Sequence, residues 1–144
     1  MHSVRWLAFS AVMAIAVAGP GAAHTIRRGD LEIIHPAIMA PHAMVDSTCA
    51  HVTIRNHGGA TEVLLGARIR AANSVRLTAS GPATNVSQRI EIAPGKTVDL
   101  RHGWCLLLSG ITESLEPDMN VIPGELIFER AGTVSIDFMI DPAH

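Results

Sequence analysis

From about residue 24 onward the chain alternates apolar and polar residues with a period of two, the spacing of half-buried strands. The clearest run is Val134, Ile136, Phe138 and Ile140 against Ser135, Asp137 and Met139. Ala50, Val52 and Ile54 alternate with Cys49, His51, Thr53 and Arg55, and Val98 and Leu100 with Thr97, Asp99 and Arg101. Leu31 and Ile33 open a first strand after Gly29-Asp30. Turn chemistry separates these runs. Asn56-His57-Gly58-Gly59 supplies residues that tolerate positive φ, and Ala93-Pro94-Gly95-Lys96 places Pro and Gly as a type II turn requires. Pro123-Gly124 and Ala131-Gly132 punctuate the last third, and Thr112–Met119 alone has room for a helical turn, limited by Pro117. Short strands at this spacing predict an all-β, antiparallel Greek-key sandwich.

The first 23 residues follow a different pattern. Arg5 is the only charge ahead of an apolar run from Trp6 to Gly19, and the small residues Gly21, Ala22 and Ala23 follow. Basic, apolar, small is the order of a secretory signal, and the run is too short for a permanent bilayer span. Residues 1–23 are thus expected to be a signal peptide and 24–144 a single sandwich domain, with His24 as the mature first residue. No later apolar segment reaches spanning length, so no stable membrane anchor is expected. Removing 23 of the 144 residues leaves 121, enough to bury a core.

Composition narrows the function. The chain carries 11 Lys and Arg against 13 Asp and Glu, and aromatic residues make up 3% of it. A basic groove with stacking rings is missing, which argues against nucleic-acid binding. No G-x-S-x-G, H-E-x-x-H, C-x-x-C or phosphate-loop pattern appears, so an enzyme is not expected. Seven of the 8 histidines lie after residue 23. With Met39, Met44, Cys49 and Cys105 they direct attention to soft-metal and imidazole chemistry.

Several stretches resemble the PCu(A)C family of periplasmic copper chaperones. They are His24 with Gly29-Asp30-Leu31-Glu32-Ile33, His35-Pro36, the run VTIRN ending at Asn56, Leu64-Leu65-Gly66-Ala67, IEIAPGKTVDL from Ile90, and FERAGTVSIDFMI ending at Ile140. The resemblance implies a cupredoxin-like sandwich in the periplasm that carries Cu(I) toward cytochrome oxidase, its partner being an oxidase subunit or another copper protein. It also implies a metal site of a strand-end His, a hairpin Met and a distal His-x-Met, and this chain departs from that set. Thr78 stands at the strand-end His, the hairpin SGPATNVSQ has no Met, Cys105 stands at the distal His and Leu107 at the distal Met.

Cys105 has three readings: a small buried hydrophobe, half of a disulfide with Cys49, or a thiolate ligand at the old metal position. The segment from His35 to Met44 adds Met39 and a displaced His-x-Met, His42-Ala43-Met44, whose i and i+2 side chains share one side of an extended chain. If copper binds, the expected site is Cys105 with Met39, His42 and Met44. As a first residue, His24 would chelate Cu(II) through its amine and its imidazole. His51 shares a strand face with Cys49. Two functions follow: a copper-chaperone-type protein with a rearranged Cu(I) site, or a copper-free member that persists as a disulfide-bonded structural or protein-binding sandwich.

Overall fold

A computed structural model describes residues 24–41, 45–79, 89–118 and 121–143. Ten strands form among them: β1 (Thr25–Arg28), β2 (Leu31–Met39), β3 (Ser47–Asn56), β4 (Glu62–Ile69), β5 (Ala72–Ala79), β6 (Ile90–Ile92), β7 (Thr97–Asp99), β8 (Trp104–Ile111), β9 (Ile122–Phe128) and β10 (Gly132–Asp141). No α-helix occurs among the described residues, and residues 112–118 run as bends and turns. The expected signal peptide lies outside the described residues.

The strands follow the order β5-β8-β3-β2-β10-β9-β4-β6, with β1 added beside β2 and β7 beside β3. The path is one curled sheet folded into two layers, a cupredoxin-like sandwich. Residues 132–138 of β10 pair antiparallel with β9, and residues 139–141 then pair with β2. That second pairing is parallel, Met139 opposite Ala37 and Asp141 opposite Met39, whereas the other recorded pairings are antiparallel.

The alternating runs point their apolar members inward. Ala50, Val52 and Ile54 from β3 meet Val134, Ile136, Phe138 and Ile140 from β10, with Ile33, Ile38, Leu64, Ile92, Leu106, Leu108 and Leu126 filling the space between. Leu100, just past β7, is also fully buried. Burying such side chains contributes about 1.5–3 kcal/mol each and fixes strand register, since a one-residue slip would turn every one of them to water.

Two buried polar side chains replace missing backbone partners. Glu62 accepts the amides of Val63 (2.9 Å), Arg130 (2.9 Å) and Ala131 (3.0 Å), closing the β9–β10 turn. Asn56 donates to the Ala60 carbonyl at 2.7 Å and the Ile92 carbonyl at 3.0 Å and accepts from the Gly58 amide at 2.9 Å. Its part in that turn is a side-chain one, because its own φ is not positive. The type II turn forms as expected, with Gly95 at φ 73° and the Lys96 amide donating to the Ala93 carbonyl at 3.0 Å. Pro123-Gly124, by contrast, punctuates nothing. Both residues lie inside β9, opposite Asp137 and Ile136.

Gly124 serves close approach. A Cβ there would stand 2.7 Å from Phe138 Cε2 and 2.8 Å from the Arg68 carbonyl oxygen, and backbone cannot yield as a side-chain tip can. Gly124→Ala is therefore expected to cost about 1–3 kcal/mol, read as a lower urea midpoint at unchanged slope. Gly59→Ala, with nothing within 4 Å of the added carbon, should stay close to wild type in the same assay.

Candidate metal centre

The outward face of the β5-β8-β3-β2 layer gathers most of the residues with donor chemistry. On β3 the inward residues are Ala50, Val52 and Ile54, so Cys49 and His51 face out. His51 lies opposite Ala37 of β2, and Ala37 lies opposite Met139 of β10. Met39 pairs with Asp141 at the end of the same parallel ladder, which puts both beside this row.

The β2 strand cannot run straight here. Its register with β3 shifts between Ile34 and Ala37, a bulge that contains His35-Pro36. His35 takes φ 46°, the one positive value at a non-glycine residue among those described. A left-handed backbone costs a residue with a Cβ free energy, and the following proline restricts the residue further. The bulge re-aims the ring so that His35 Nε2 lies 3.0 Å from Asp141 Oδ2, both side chains partly exposed. The His24 ring packs edge-on against the His35 ring, centroids 5.9 Å apart at 76°. Bulges commonly re-aim a side chain beside a functional site.

Cys49 and Cys105 are bonded, Cα atoms 5.5 Å apart. In this oxidised form Cys105 offers a metal no thiolate, the species that ligates, so the set of Cys105 with Met39, His42 and Met44 lacks its anchoring donor. Residues His42 and Met44 lie outside the described residues, as does the hairpin of residues 80–88. The positions at which the resemblance implies ligands, Thr78, Cys105 and Leu107, sit together on the β5–β8 pair. Thr78 lies opposite Cys105, its hydroxyl donating to the Cys105 carbonyl at 3.3 Å, and Leu107 lies opposite Arg76.

His51 is the residue whose environment sequence reasoning did not anticipate. Its Nδ1 is buried and has no hydrogen-bond partner. Burial, with the Arg101 guanidinium adding to it, holds the imidazole below its ordinary value, while Asp99 and Asp141 pull the other way. The remaining described histidines have structural partners. His57 lies 2.6 Å from Glu32, and this hydrogen bond with the nearby Arg27 and Arg55 charges keeps the Glu32 carboxyl below the usual carboxylate value. His102 is 83% exposed and 3.5 Å from Asp99. Among the described residues, no three His, Cys, Asp or Glu side chains form a group arranged to hold a metal ion.

A family model for LpqE-like proteins, a family named for a lipoprotein, matches residues 31–140. The chain belongs to the LpqE-like family. Solved structures share its fold. The apo PCuAC domain from PmoF1 is 24% identical, covers 83% of this chain and 99% of its own, and superposes with a TM-score of 0.74. The copper-bound PCuAC domain from PmoF2 is 22% identical over 83% of this chain and 98% of its own, TM-score 0.73. The solution structure of Cu(I)-DR1885 from Deinococcus radiodurans is 18% identical over 83% of this chain and 81% of its own, TM-score 0.63. A comparison with curated proteins finds no match. For this LpqE-like chain the cupredoxin-like expectation therefore holds, and identities this low speak to fold alone.

The His35 backbone gives a test that is independent of any ligand. His35→Gly and His35→Ala both lose the Asp141 contact, but only glycine relieves the positive φ. The glycine variant is expected to be more stable by about 1 kcal/mol, measured as the difference in urea midpoints. Equal midpoints would remove the strain from the account.

Proposed function

We propose that this is an exported copper-binding protein of the copper-chaperone type, with its metal site at His24, His35 and Asp141. One observation carries the reading. A left-handed residue on a strand bulge holds its imidazole against a carboxylate while a second imidazole packs on it. Structure of that kind has a free-energy cost, and a metal site would account for it. If export removes residues 1–23, His24 contributes an amine as well as a ring. The donors are then two imidazoles, an amine and a carboxylate. The three side chains alone are not arranged to hold an ion, and the amine is the donor that would complete the set. Nitrogen and oxygen donors of this kind suit Cu(II). The folds that resemble this one include a copper-bound PCuAC domain, which supports copper over other imidazole-binding metals. We propose as well that the protein works in the periplasm and delivers copper toward a cytochrome oxidase subunit or another copper protein.

The second reading, a copper-free sandwich stapled by its disulfide, is favoured by the Cys49–Cys105 bond. One titration separates the two. Protein recovered from the periplasm, its first residue determined by mass spectrometry, is expected to begin at His24 and to bind one Cu(II) per chain with nitrogen couplings in its electron paramagnetic resonance. Acetylating the amine, or replacing His35 by Gln, should each weaken binding more than about tenfold, since even an outer partner of a ligand carries 10–100-fold in affinity. Stoichiometric binding that ignores both changes overturns this placement of the site, and no binding at all leaves the stapled sandwich as the function.

A further inference from the structure

The hairpin that carries β1 leaves one edge of that strand without a partner. Asn56 lies opposite Leu31, but its amide donates to the Lys96 carbonyl at 3.0 Å, so the backbone of Leu31 turns the other way, toward Arg28 of β1. In an antiparallel ladder the neighbouring residue does the opposite. The amide and carbonyl of Arg27 therefore point away from β2, and that carbonyl is met by the Arg28 guanidinium at 3.1 Å. Residues 132–138 of β10 are likewise paired on one side only, with β9. These two open edges border one groove. Residues 25–28 line a cleft of about 980 Å³ with residues 135–137, and residues 28–31 line its continuation of about 790 Å³ with residues 133–135. Clefts of this size suit a chain segment better than a single ion. Ile26, Ile69 and Ile136 give the larger cleft an apolar wall. Four arginines, Arg27, Arg28, Arg68 and Arg70, outnumber the carboxylates Glu125 and Asp137 along it. The whole chain has a net charge of -2, so this positive surplus is local. Arg68 and Arg70 pair with Glu125 and Glu113, whereas Arg28 has no carboxylate partner among the described residues.

We propose that the groove between β1 and β10 binds an extended, acidic segment of another protein, which adds to β1 as a strand. Main-chain hydrogen bonds to the free amide and carbonyl of Arg27 supply affinity, and the groove walls select by side chain. The side chains of an extended segment point alternately to opposite sides. Alternate positions then meet the isoleucines and the guanidinium groups, which selects a segment in which apolar and acidic residues alternate. A second copy of this chain fits the edge poorly. Pairing β1 with another β1 would set Arg27 and Arg28 against arginines of the other copy, and like charges across a ladder are destabilising. The proposal uses no metal ion, so it stands apart from the copper reading.

The test uses metal-free, oxidised protein and a fluorescent, end-capped heptapeptide of alternating Glu and Val, followed by fluorescence anisotropy. Binding is expected to saturate at one peptide per chain. It should weaken at least about tenfold when Lys replaces Glu in the peptide, and by a similar factor in Arg28→Glu. Arg27→Ala keeps the outward amide, whereas Arg27→Pro removes it at an edge where β2 takes no bond from it. The proline variant should bind at least about tenfold more weakly than the alanine variant, because it leaves a peptide carbonyl unpaired. A peptide methylated on alternate backbone nitrogens reads the same contact without altering the protein, and it should lose about tenfold or more as well. Equal binding of the Glu and Lys peptides overturns the proposal, as does equal binding to Arg27→Pro and Arg27→Ala, full binding of the methylated peptide, or no binding at all. Self-association in sedimentation that Arg27→Pro abolishes would overturn it too, by giving the edge to a second copy of the chain.

Discussion

The change of partner within β10 is the constraint on which the rest of the molecule depends. Up to Phe138 the strand is paired with β9, and from Met139 it is paired with β2. Val134, Ile136, Phe138 and Ile140 stay inward through the crossing, so the strand passes from one layer to the other without breaking its apolar period. That continuity ties the two layers around one core. It also decides what the outer face can do, because the residues delivered to β2 are Met139 and Asp141. Without the parallel pairing, Asp141 would have no route to His35.

The bulge in β2 is the complement of that crossing. Before it, β2 aligns Glu32 and Ile34 with Arg55 and Thr53, and after it Ala37 with His51. Residues 35 and 36 take up the shift. A strand with unbroken alternation would send His35 to the core side or leave it parallel to its neighbours. The positive φ turns it sideways, into reach of both His24 and Asp141. Proline at position 36 has no amide to lose at the point where the ladder is interrupted, so the bulge is compatible with its sequence.

Much of this was legible in the residues, for a simple reason. Alternation reports which side of a strand is dry, and the β3 and β10 runs are buried on the sides their apolar residues indicate. Turns that need positive φ declare themselves through glycine, as at Gly95 and Gly132. What alternation does not carry is partner identity. The period of β10 reads the same whether its neighbour is β9 or β2, so the parallel ladder is invisible in it. Short strands are equally silent, and β1 (Thr25–Arg28), four residues long with a charged end, offers no period to detect. Gly124 misleads because the same residue serves a turn or a close approach, and only Phe138 across the ladder distinguishes them. The donor chemistry divides along the same line. Cysteine content left the Cys49–Cys105 pairing as one of three readings, since spacing carries no Cα separation. The convergence of His24, His35 and Asp141 joins residues up to 117 positions apart and depends wholly on topology.

Oxidation state decides which donors this face presents. At the β2–β10 end the His35 imidazole and the Asp141 carboxylate lie 3.0 Å apart and need no reduction. At the β3–β8 end the sulfurs of Cys49 and Cys105 are bonded to each other, and a disulfide offers no thiolate, the species that ligates a metal. The PCu(A)C resemblance puts an imidazole at position 105, which a disulfide could not withdraw, so the sulfur found there is a conditional donor. Asp141 acts electrostatically at both ends, through its contact with His35 and through its effect on His51. At His51 burial outweighs that pull, so the imidazole is held below its ordinary value despite both carboxylates.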